Sequence, residues 1–300
     1  MELKDYQAKV LKDLEHFLEA LEQPGATPSS AYQRHWENRG VAVGVAVKPY
    51  RDGLSGAPQI CFKVPTGGGK TFLACCALLP LMERLGKTGP QVVVWLVPSN
   101  AILAQTVKAL QDMSHPYRRR IQADFNGRVE VYTKEQLLQG QDFNPVSVQE
   151  QISICVLSYD SLRAAKKDGR LVYRENSALA GFAKYYQLDG ETSVEGADET
   201  SLMQALHLMN PVVVVDESHN AGSRLSVEML KNLNPHFVLD LTATPAKNSN
   251  IISYVDAAAL KKEEMVKLPV VVYNRDHKND VVLTALRLQK ALETLAQKEQ

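Results

Sequence analysis

One segment of the chain combines glycine, lysine and threonine in a spacing suited to phosphate. It reads Thr66-Gly67-Gly68-Gly69-Lys70-Thr71 and follows the apolar run Ile60-Cys61-Phe62. Successive glycines let main-chain N–H groups approach phosphate oxygens without Cβ clashes, and a helix beginning near Lys70 adds positive potential. In such loops the lysine reaches the β- and γ-phosphates and the next hydroxyl binds Mg²⁺. We therefore expect Thr66 to Thr71 to bind a triphosphate with Mg²⁺; a glycine turn that binds no ligand is the alternative.

The loop departs from the general phosphate-loop pattern at its start. That pattern has a glycine five residues before Gly69, where this chain has Val64. What remains resembles the variant in which a small or apolar residue takes the first position, as in helicase-type ATPases.

Two carboxylates follow a second apolar run. Asp216 and Glu217 come directly after Val212-Val213-Val214-Val215. A carboxylate at the end of a buried strand is unfavourable unless it faces water or a cation. Asp216 therefore fits a water-mediated Mg²⁺ ligand, and Glu217 a group that orients the attacking water in phosphoryl transfer. An acidic strand cap or helix cap is the alternative.

Hydroxyls end the next apolar run. Thr242-Ala243-Thr244-Pro245 follows the residues from Phe237 to Leu241. Hydroxyls at this position can hydrogen-bond His219 or the acidic pair and so couple the nucleotide to a moving surface; a Thr/Pro-rich turn is the alternative. Asp240, inside the strand, is expected on the opposite face, without a role.

A strand–helix alternation positions these residues. Several of the apolar runs are continuous rather than alternating, which is typical of a parallel sheet covered on both faces. We predict a mostly parallel, doubly wound α/β sheet with helices on both faces. The predicted strands are 59–64, 92–97, 129–132, 152–157, 212–215, 237–241 and 269–273. The predicted helices are 3–21, 32–38, 70–85, 101–113, 134–138 and 226–233.

The sequence predicts a lobe, an insertion within it and a linker helix. Residues 1–275 are expected to form one lobe, in which residues 163–210 interrupt the alternation and are predicted to be an insertion with some helix. Residues 276–300 are predicted to be a linker helix, because Val281, Leu288 and Leu292 share one stripe.

Composition narrows the class of protein. The 300 residues contain 34 basic and 34 acidic side chains, so any nucleic-acid surface must be local. The four cysteines lack metal-ligand spacing and are expected to be reduced core thiols. With no signal-peptide pattern and no apolar run of membrane-spanning length, we expect a cytoplasmic protein without a membrane partner.

The three chemical segments together resemble a known motor family. Gly67-Gly68-Gly69-Lys70-Thr71, Asp216-Glu217-Ser218-His219 and Thr242-Ala243-Thr244 are similar, in order, to motifs I, II and III of superfamily-2 helicases. Motif II resembles the DEAH form with Ser218 in place of alanine. The resemblance implies a RecA-like P-loop NTPase lobe that hydrolyses ATP with Mg²⁺.

The start of the chain extends the resemblance. Leu3-Lys4-Asp5-Tyr6-Gln7 is similar to the upstream glutamine motif, in which Gln7 would read the adenine edge. A packed helix face is the alternative.

Two further segments resemble the family's nucleic-acid contacts. Val97-Pro98-Ser99-Asn100 is similar to motif Ia, and Leu157-Ser158-Tyr159 to the segment that follows it in these proteins. The resemblance implies contacts to backbone phosphates; helix caps at strand ends are the alternative. For Arg118-Arg119-Arg120 we favour a solvated charged turn over a phosphate-facing patch.

Within the superfamily, the chain most resembles the Res subunit of type III restriction enzymes. This resemblance depends on three segments: the glycine loop, the motif Asp216-Glu217-Ser218-His219-Asn220 and residues 266–270. The resemblance implies movement along duplex DNA through mainly backbone contacts. The family's second RecA-like lobe, with its arginines, and a nuclease domain have no counterpart here, so we expect the first lobe of a larger protein. A modification subunit is a further expected partner.

Other functions stay open. A lobe of a DNA-repair or RNA helicase would carry the same motifs. A nucleotide-gated nucleic-acid-binding scaffold would bind without turnover, although Glu217 argues against it. A simple P-loop kinase is disfavoured by Thr242-Ala243-Thr244.

Overall fold

The computed structural model describes residues 2–54, 56–86, 89–163, 171–185, 193–217, 224–265 and 278–298. The chain divides into two compact units, Met1–Val266 and Lys267–Gln300. The first contains every strand among the described residues.

One parallel sheet of seven strands forms the centre of the first unit. The strands are β1 (Gln59–Lys63), β2 (Val92–Val97), β3 (Val129–Tyr132), β4 (Ile152–Ser158), β5 (Val212–Asp216), β6 (Phe237–Thr242) and β7 (Ile251–Tyr254). Within the described chain they lie in the order β3-β4-β2-β5-β6-β1-β7, and each neighbouring pair is parallel. The predicted α/β class, with a parallel sheet and helices on both faces, is confirmed. Strand β7 was not predicted, and the predicted strand 269–273 lies outside the described residues.

Two helices precede the first strand, and the other described helices lie between the strands or after the last one. The helices are α1 (Asp5–Leu21), α2 (Pro28–Glu37), α3 (Lys70–Arg84), α4 (Asn100–Gln111), α5 (Pro116–Asp124), α6 (Lys134–Leu138), α7 (Ser147–Glu150), α8 (Tyr159–Arg163), α9 (Ala180–Tyr185), α10 (Leu202–Leu208), α11 (Arg224–Asn232), α12 (Ala257–Lys262) and α13 (Lys278–Lys298). Two 3₁₀ turns, Leu171–Tyr173 and Ser177–Leu179, lie before α9. No helix in the described part of the chain is both long and apolar enough to cross a bilayer.

Both faces of the sheet are covered, which explains the continuous apolar runs. All six residues of β2 are buried. Residues of α1 and α3 pack with one face in a single apolar cluster, and residues of α10 and α11 pack with the other. Alternate residues of β2 therefore enter different cores, and both sets are apolar.

The arginine run 118–120 lies in helix α5, so the predicted solvated turn is wrong. Pro116 stands in the first turn of α5, and the His115 side chain accepts from the Tyr117 N–H at 3.2 Å. Arg118 is 6% exposed and donates to the Leu110 and Val129 carbonyl oxygens, at 3.3 and 2.8 Å. Its guanidinium ties α4 to β3 and is not free for phosphate.

The described parts of residues 163–210 carry the helical content that the sequence predicts. Val172, Phe182 and Leu206 are each at most 1% exposed and belong to the second apolar cluster. These parts of 163–210 therefore pack into the core on that face of the sheet, and their being an insertion stays a prediction; residues 164–170 and 186–192 lie outside the described chain.

The cysteines are buried as free thiols, as expected of core residues. Among the described residues, no group of three or more His, Cys, Asp or Glu side chains could hold a metal ion.

Candidate nucleotide-binding site

The glycine loop connects the end of β1 to the start of α3. Gly69 precedes α3 with φ 73°, and Gly67 has φ 84°, both in the left-handed region that residues with a Cβ rarely adopt. The Gly68 N–H donates to the Pro65 carbonyl at 3.0 Å, which closes a tight turn. The loop thus stands at the N-terminus of a fifteen-residue helix, where free N–H groups and the helix dipole attract anions.

Val64, which stands where the general pattern has its first glycine, explains why the loop requires a glycine at position 68. Its side chain is fully buried beneath the loop. A Cβ on Gly68 would lie 2.6 Å from the Val64 Cγ1 and 3.0 Å from the Pro65 oxygen. Gly68 is therefore required by space rather than by its φ angle, because the valine fills the volume that a side chain would need.

Two side chains of α1 hold the same carbonyl of the loop. The Tyr6 hydroxyl donates to the Gly68 oxygen at 3.0 Å, and the Gln7 Nε2 donates to it at 3.4 Å. In a planar trans peptide, the carbonyl of Gly68 and the N–H of Gly69 point in opposite directions. Fixing the carbonyl toward α1 therefore turns the Gly69 N–H away from α1.

Tyr6 is a site residue that the sequence reasoning missed. Its only signal is its place beside Gln7. Gln7 itself is fully buried, and its Oε1 accepts from the Lys4 N–H at 3.0 Å. Both of its amide atoms thus have protein partners, and its adenine contact stays a prediction.

Lys70 and Glu217 meet across the site. The Lys70 Nζ lies 2.9 Å from the Glu217 Oε1, with 10% and 22% of the two side chains exposed. Glu217 has φ 57°, unusual for a residue with a Cβ, and its N–H donates to the Leu241 oxygen at 2.8 Å. The strained backbone directs the carboxylate away from the strand. A phosphate and Glu217 are thus competing partners for the Lys70 ammonium.

Asp216 is a buried carboxylate at the end of β5. It is 7% exposed. Burial raises its pKa to about 6; the Lys70 charge opposes this shift and the Glu217 charge adds to it. Its main-chain oxygen accepts from the Tyr159 hydroxyl at 3.3 Å. The strand end is therefore held from behind while the carboxyl group lies within the field of Lys70.

These residues fit Mg-ATP. The Gly69 position leaves no room for a Cβ, which would lie 2.5 Å from the Gln7 Nε2, so Gln7 packs directly against the loop. The Thr71 hydroxyl and the Asp216 carboxylate supply the hard oxygen atoms that Mg²⁺ prefers. Thr66 and Gly67 are exposed on the loop.

The hydroxyls predicted for coupling differ in environment. Thr242 is fully buried, and its Oγ1 accepts from the Thr244 N–H at 3.1 Å, while Thr244 is exposed. The Thr242 oxygen also accepts from the Val64 N–H at 3.0 Å, which joins this turn to the start of the glycine loop. His219 lies outside the described residues, so its contacts stay a prediction.

The residues predicted to touch nucleic acid are used mainly as local caps. Ser99 accepts from the Ile102 N–H at 3.4 Å at the start of α4, beside half-buried Pro98 and exposed Asn100. Ser158 is 5% exposed and accepts from the Ser161 N–H at 3.2 Å. Tyr159 is 1% exposed and its hydroxyl donates to the Asp216 main-chain oxygen, so its contact with nucleic acid stays a prediction.

A family model and solved structures were compared with the chain. The model "Type III restriction enzyme, res subunit" (ResIII) matches residues 1–247. A nuclease-deletion mutant of the Type ISP restriction-modification enzyme LlaGI, in complex with a DNA substrate mimic, is 14% identical, with a TM-score of 0.47 over 88% of this chain and 21% of that one. The Pyrococcus furiosus Hef helicase domain is 17% identical, with a TM-score of 0.32 over 63% and 30%. No curated protein sequence matches.

The chain thus spans less than a third of either solved structure. Both likenesses are distant, so the assignment depends on the family model, which covers most of the 300 residues. The chain belongs to the family of type III restriction enzyme Res subunits.

Proposed function

We propose that this lobe binds Mg-ATP and hydrolyses it to drive movement along duplex DNA. The observation that carries the proposal is the Lys70–Glu217 contact of 2.9 Å beside buried Asp216. Two strands distant in sequence, β1 and β5, bring these groups together at the carboxyl ends of the strands, where parallel α/β proteins bind their ligands.

Each residue has a distinct role in the proposal. Lys70 and the N–H groups of 67–71 bind the phosphates, and Thr71 and Asp216 hold Mg²⁺, Asp216 through water. Mg²⁺ supplies charge neutralisation at the phosphates. Glu217 orients the attacking water, and is released for this task when a phosphate takes its place beside Lys70.

The wider function is proposed from the family. A second RecA-like lobe would bring arginines to the γ-phosphate, and arginines of this kind accelerate hydrolysis by orders of magnitude. The 300-residue chain alone is therefore expected to bind nucleotide weakly and turn it over slowly. A nuclease domain or a modification subunit would complete a cytoplasmic restriction system.

Nucleotide binding tests the site directly. A fluorescent ATP analogue with Mg²⁺ is titrated with the chain, with Lys70→Ala and with Lys12→Ala, which removes an exposed lysine of α1. Lys70→Ala should weaken binding by about tenfold to a hundredfold, since a charge-assisted contact contributes about 1.5–3 kcal/mol. Equal affinity of all three proteins would refute the site.

The nucleic acid is tested in the longer protein that contains this lobe. Its ATPase rate is measured with duplex DNA, single-stranded DNA and RNA. Stimulation by duplex DNA supports the proposal, whereas stimulation by RNA alone favours an RNA helicase.

A further inference from the structure

A groove lies at the β7 edge of the sheet, outside the nucleotide site. Residues 41–48 form one wall, and residues 245–251 form the other. Tyr32 and Trp36 are buried at its base, and the volume is about 720 Å³. The groove begins at Pro245, directly after Thr244.

Hydrogen bonds join the walls and the base. The Trp36 Nε1 donates to the Ile251 oxygen at 3.2 Å, and the Lys48 Nζ donates to the Lys247 oxygen at 3.1 Å. Because these bonds connect residues about 200 positions apart in the chain, the groove is a product of the fold rather than of one loop.

An aromatic ring and an amine stand side by side at one end. Lys63 and Tyr254 are register partners on the parallel strands β1 and β7 and therefore project from the same face. Both are exposed, and Tyr254 has 60% of its surface open although its ring is large and apolar. An exposed ring beside an amine is the pairing that can stack a base and contact its phosphate.

The charge of the lining has one sign. It contains Lys48, Lys63 and Lys247 and no aspartate or glutamate. In the part of the chain described, none of the three lysines forms an ion pair. The nearest carboxylate in sequence to Tyr254, Asp256, accepts from the Ala259 N–H at 2.7 Å as the cap of α12. The groove is thus complementary to an anion.

We propose that this groove binds single-stranded nucleic acid, with a base against Tyr254 and phosphates on the lysines. Proposed nucleic-acid contacts follow β2 and β4, whereas the groove lies beyond β1 at the opposite edge of the sheet. The lobe therefore has a second contact, suited to an unpaired strand. The inference rests on the proposed function in that the ligand is a nucleic acid.

Binding to a short fluorescein-labelled oligothymidylate tests the groove, without nucleotide and over a series of salt concentrations. Tyr254→Ala should raise the Kd by about tenfold, as loss of one stacked base does. Tyr254→Phe, which keeps the ring, should bind like the parent. Lys247→Gln should flatten the slope of log K against log salt by about 0.7, the value for one phosphate contact on a single strand.

Controls separate this proposal from its alternatives. Lys12→Gln removes an equal charge from α1 and should leave the salt slope unchanged. The oligonucleotide is titrated without nucleotide, so failure of the nucleotide site does not alter this result. If Tyr254→Ala and Lys247→Gln both bind like the parent, the groove is not the site. Displacement by polyglutamate with no effect of Tyr254→Ala would identify an acidic peptide site instead and overturn the proposal.

Discussion

Two buried carboxylates on neighbouring strands differ in what surrounds them. Asp216 ends β5 and pairs with Leu241, while Asp240 lies one position earlier along β6, beside Val215. They are 7% and 4% exposed, and burial raises their pKa values to about 6 and about 7. Asp216 stands in the field of Lys70 and beside Glu217.

Asp240 has instead one hydrogen-bond partner among the described residues. Its Oδ2 accepts from the Gln59 Nε2 at 3.1 Å, and its Oδ1 has no hydrogen-bond partner within the part of the chain that the structure describes. A raised pKa alone therefore does not identify a functional carboxylate. The adjacent Lys70 and Glu217 distinguish Asp216 from Asp240, whose described hydrogen bond is with Gln59.

The largest expected effect is on the free energy of unfolding, which falls when the buried Asp240 carboxyl group ionises. The pKa of Asp240 is about 7 in the folded chain, above the usual 3.8. The stability associated with its neutral form is therefore fully present below pH about 4 and is lost as pH rises through about 7. At about 1.4 kcal/mol per pH unit, the loss is on the order of 4 kcal/mol. Asp240→Asn has no proton to lose and should lack this part of the decline.

Urea denaturation at pH 5 and pH 8 measures this difference. Asp216 contributes a decline of its own, so the parent and the variant are compared at each pH. Asp160→Asn, at an exposed carboxyl group of α8, is the matched control. Parallel pH profiles for the parent and Asp240→Asn would remove the contrast between the two carboxylates.

A smaller effect is expected at Asp216, in ligand binding. A neutral amide binds hydrated Mg²⁺ poorly, and loss of such an outer contact typically lowers metal affinity by about 10- to 100-fold. Asp216→Asn should therefore weaken Mg-ATP binding by about this factor. Asp240→Asn should not, which separates the two carboxylates by function.

The pH dependence of Mg-ATP binding sharpens that test. Because the pKa of Asp216 is about 6, the ionised fraction grows as pH rises through 6, and the parent should bind Mg-ATP more tightly at pH 8 than at pH 5. Titration with the fluorescent analogue should show that the affinity of Asp216→Asn depends less on pH than that of the parent. Chelation of Mg²⁺ should bring the parent to the affinity of the variant; an unchanged affinity contradicts the metal role.

The smallest effect is expected at Tyr6, which supports the glycine loop but neither carboxylate. Tyr6→Phe removes the donor 3.0 Å from the Gly68 oxygen, and Gln7 stays as a longer donor at 3.4 Å. The loss of about 1 kcal/mol should weaken Mg-ATP binding roughly fivefold and leave the pH profile of stability unchanged. Tyr185→Phe, at an exposed ring, is the control; equal nucleotide affinity of both variants would show that Tyr6 does not position the loop.

The sequence was sufficient where local pattern and structure coincide. Six of the seven described strands were predicted, because apolar runs such as Val92–Val97 admit few alternatives. The site pair of Lys70 and Glu217 was also predictable, since strand ends in parallel sheets meet at one edge.

The sequence was insufficient where a contact depends on distant residues. Strand β7 has only four residues, and its Ser253 donates to the buried carboxylate of Asp13 at 2.6 Å, a contact across most of the chain. The role of Tyr6 depends on Gly68, which lies 62 positions away. Helix α5 was not predicted because its run of arginines was interpreted as a charged turn. Pro116 in the first turn and His115 as the N-cap are the local features that favour a helix.

Glu217→Gln tests most directly the claim that Lys70 and Glu217 serve one ATPase site. The variant keeps the shape of the side chain and removes the charge 2.9 Å from the Lys70 Nζ. With the chain in excess over labelled Mg-ATP, it should bind nucleotide at least as tightly as the parent. Formation of ADP should fall by about a hundredfold or more. Hydrolysis at the parent rate would contradict the account.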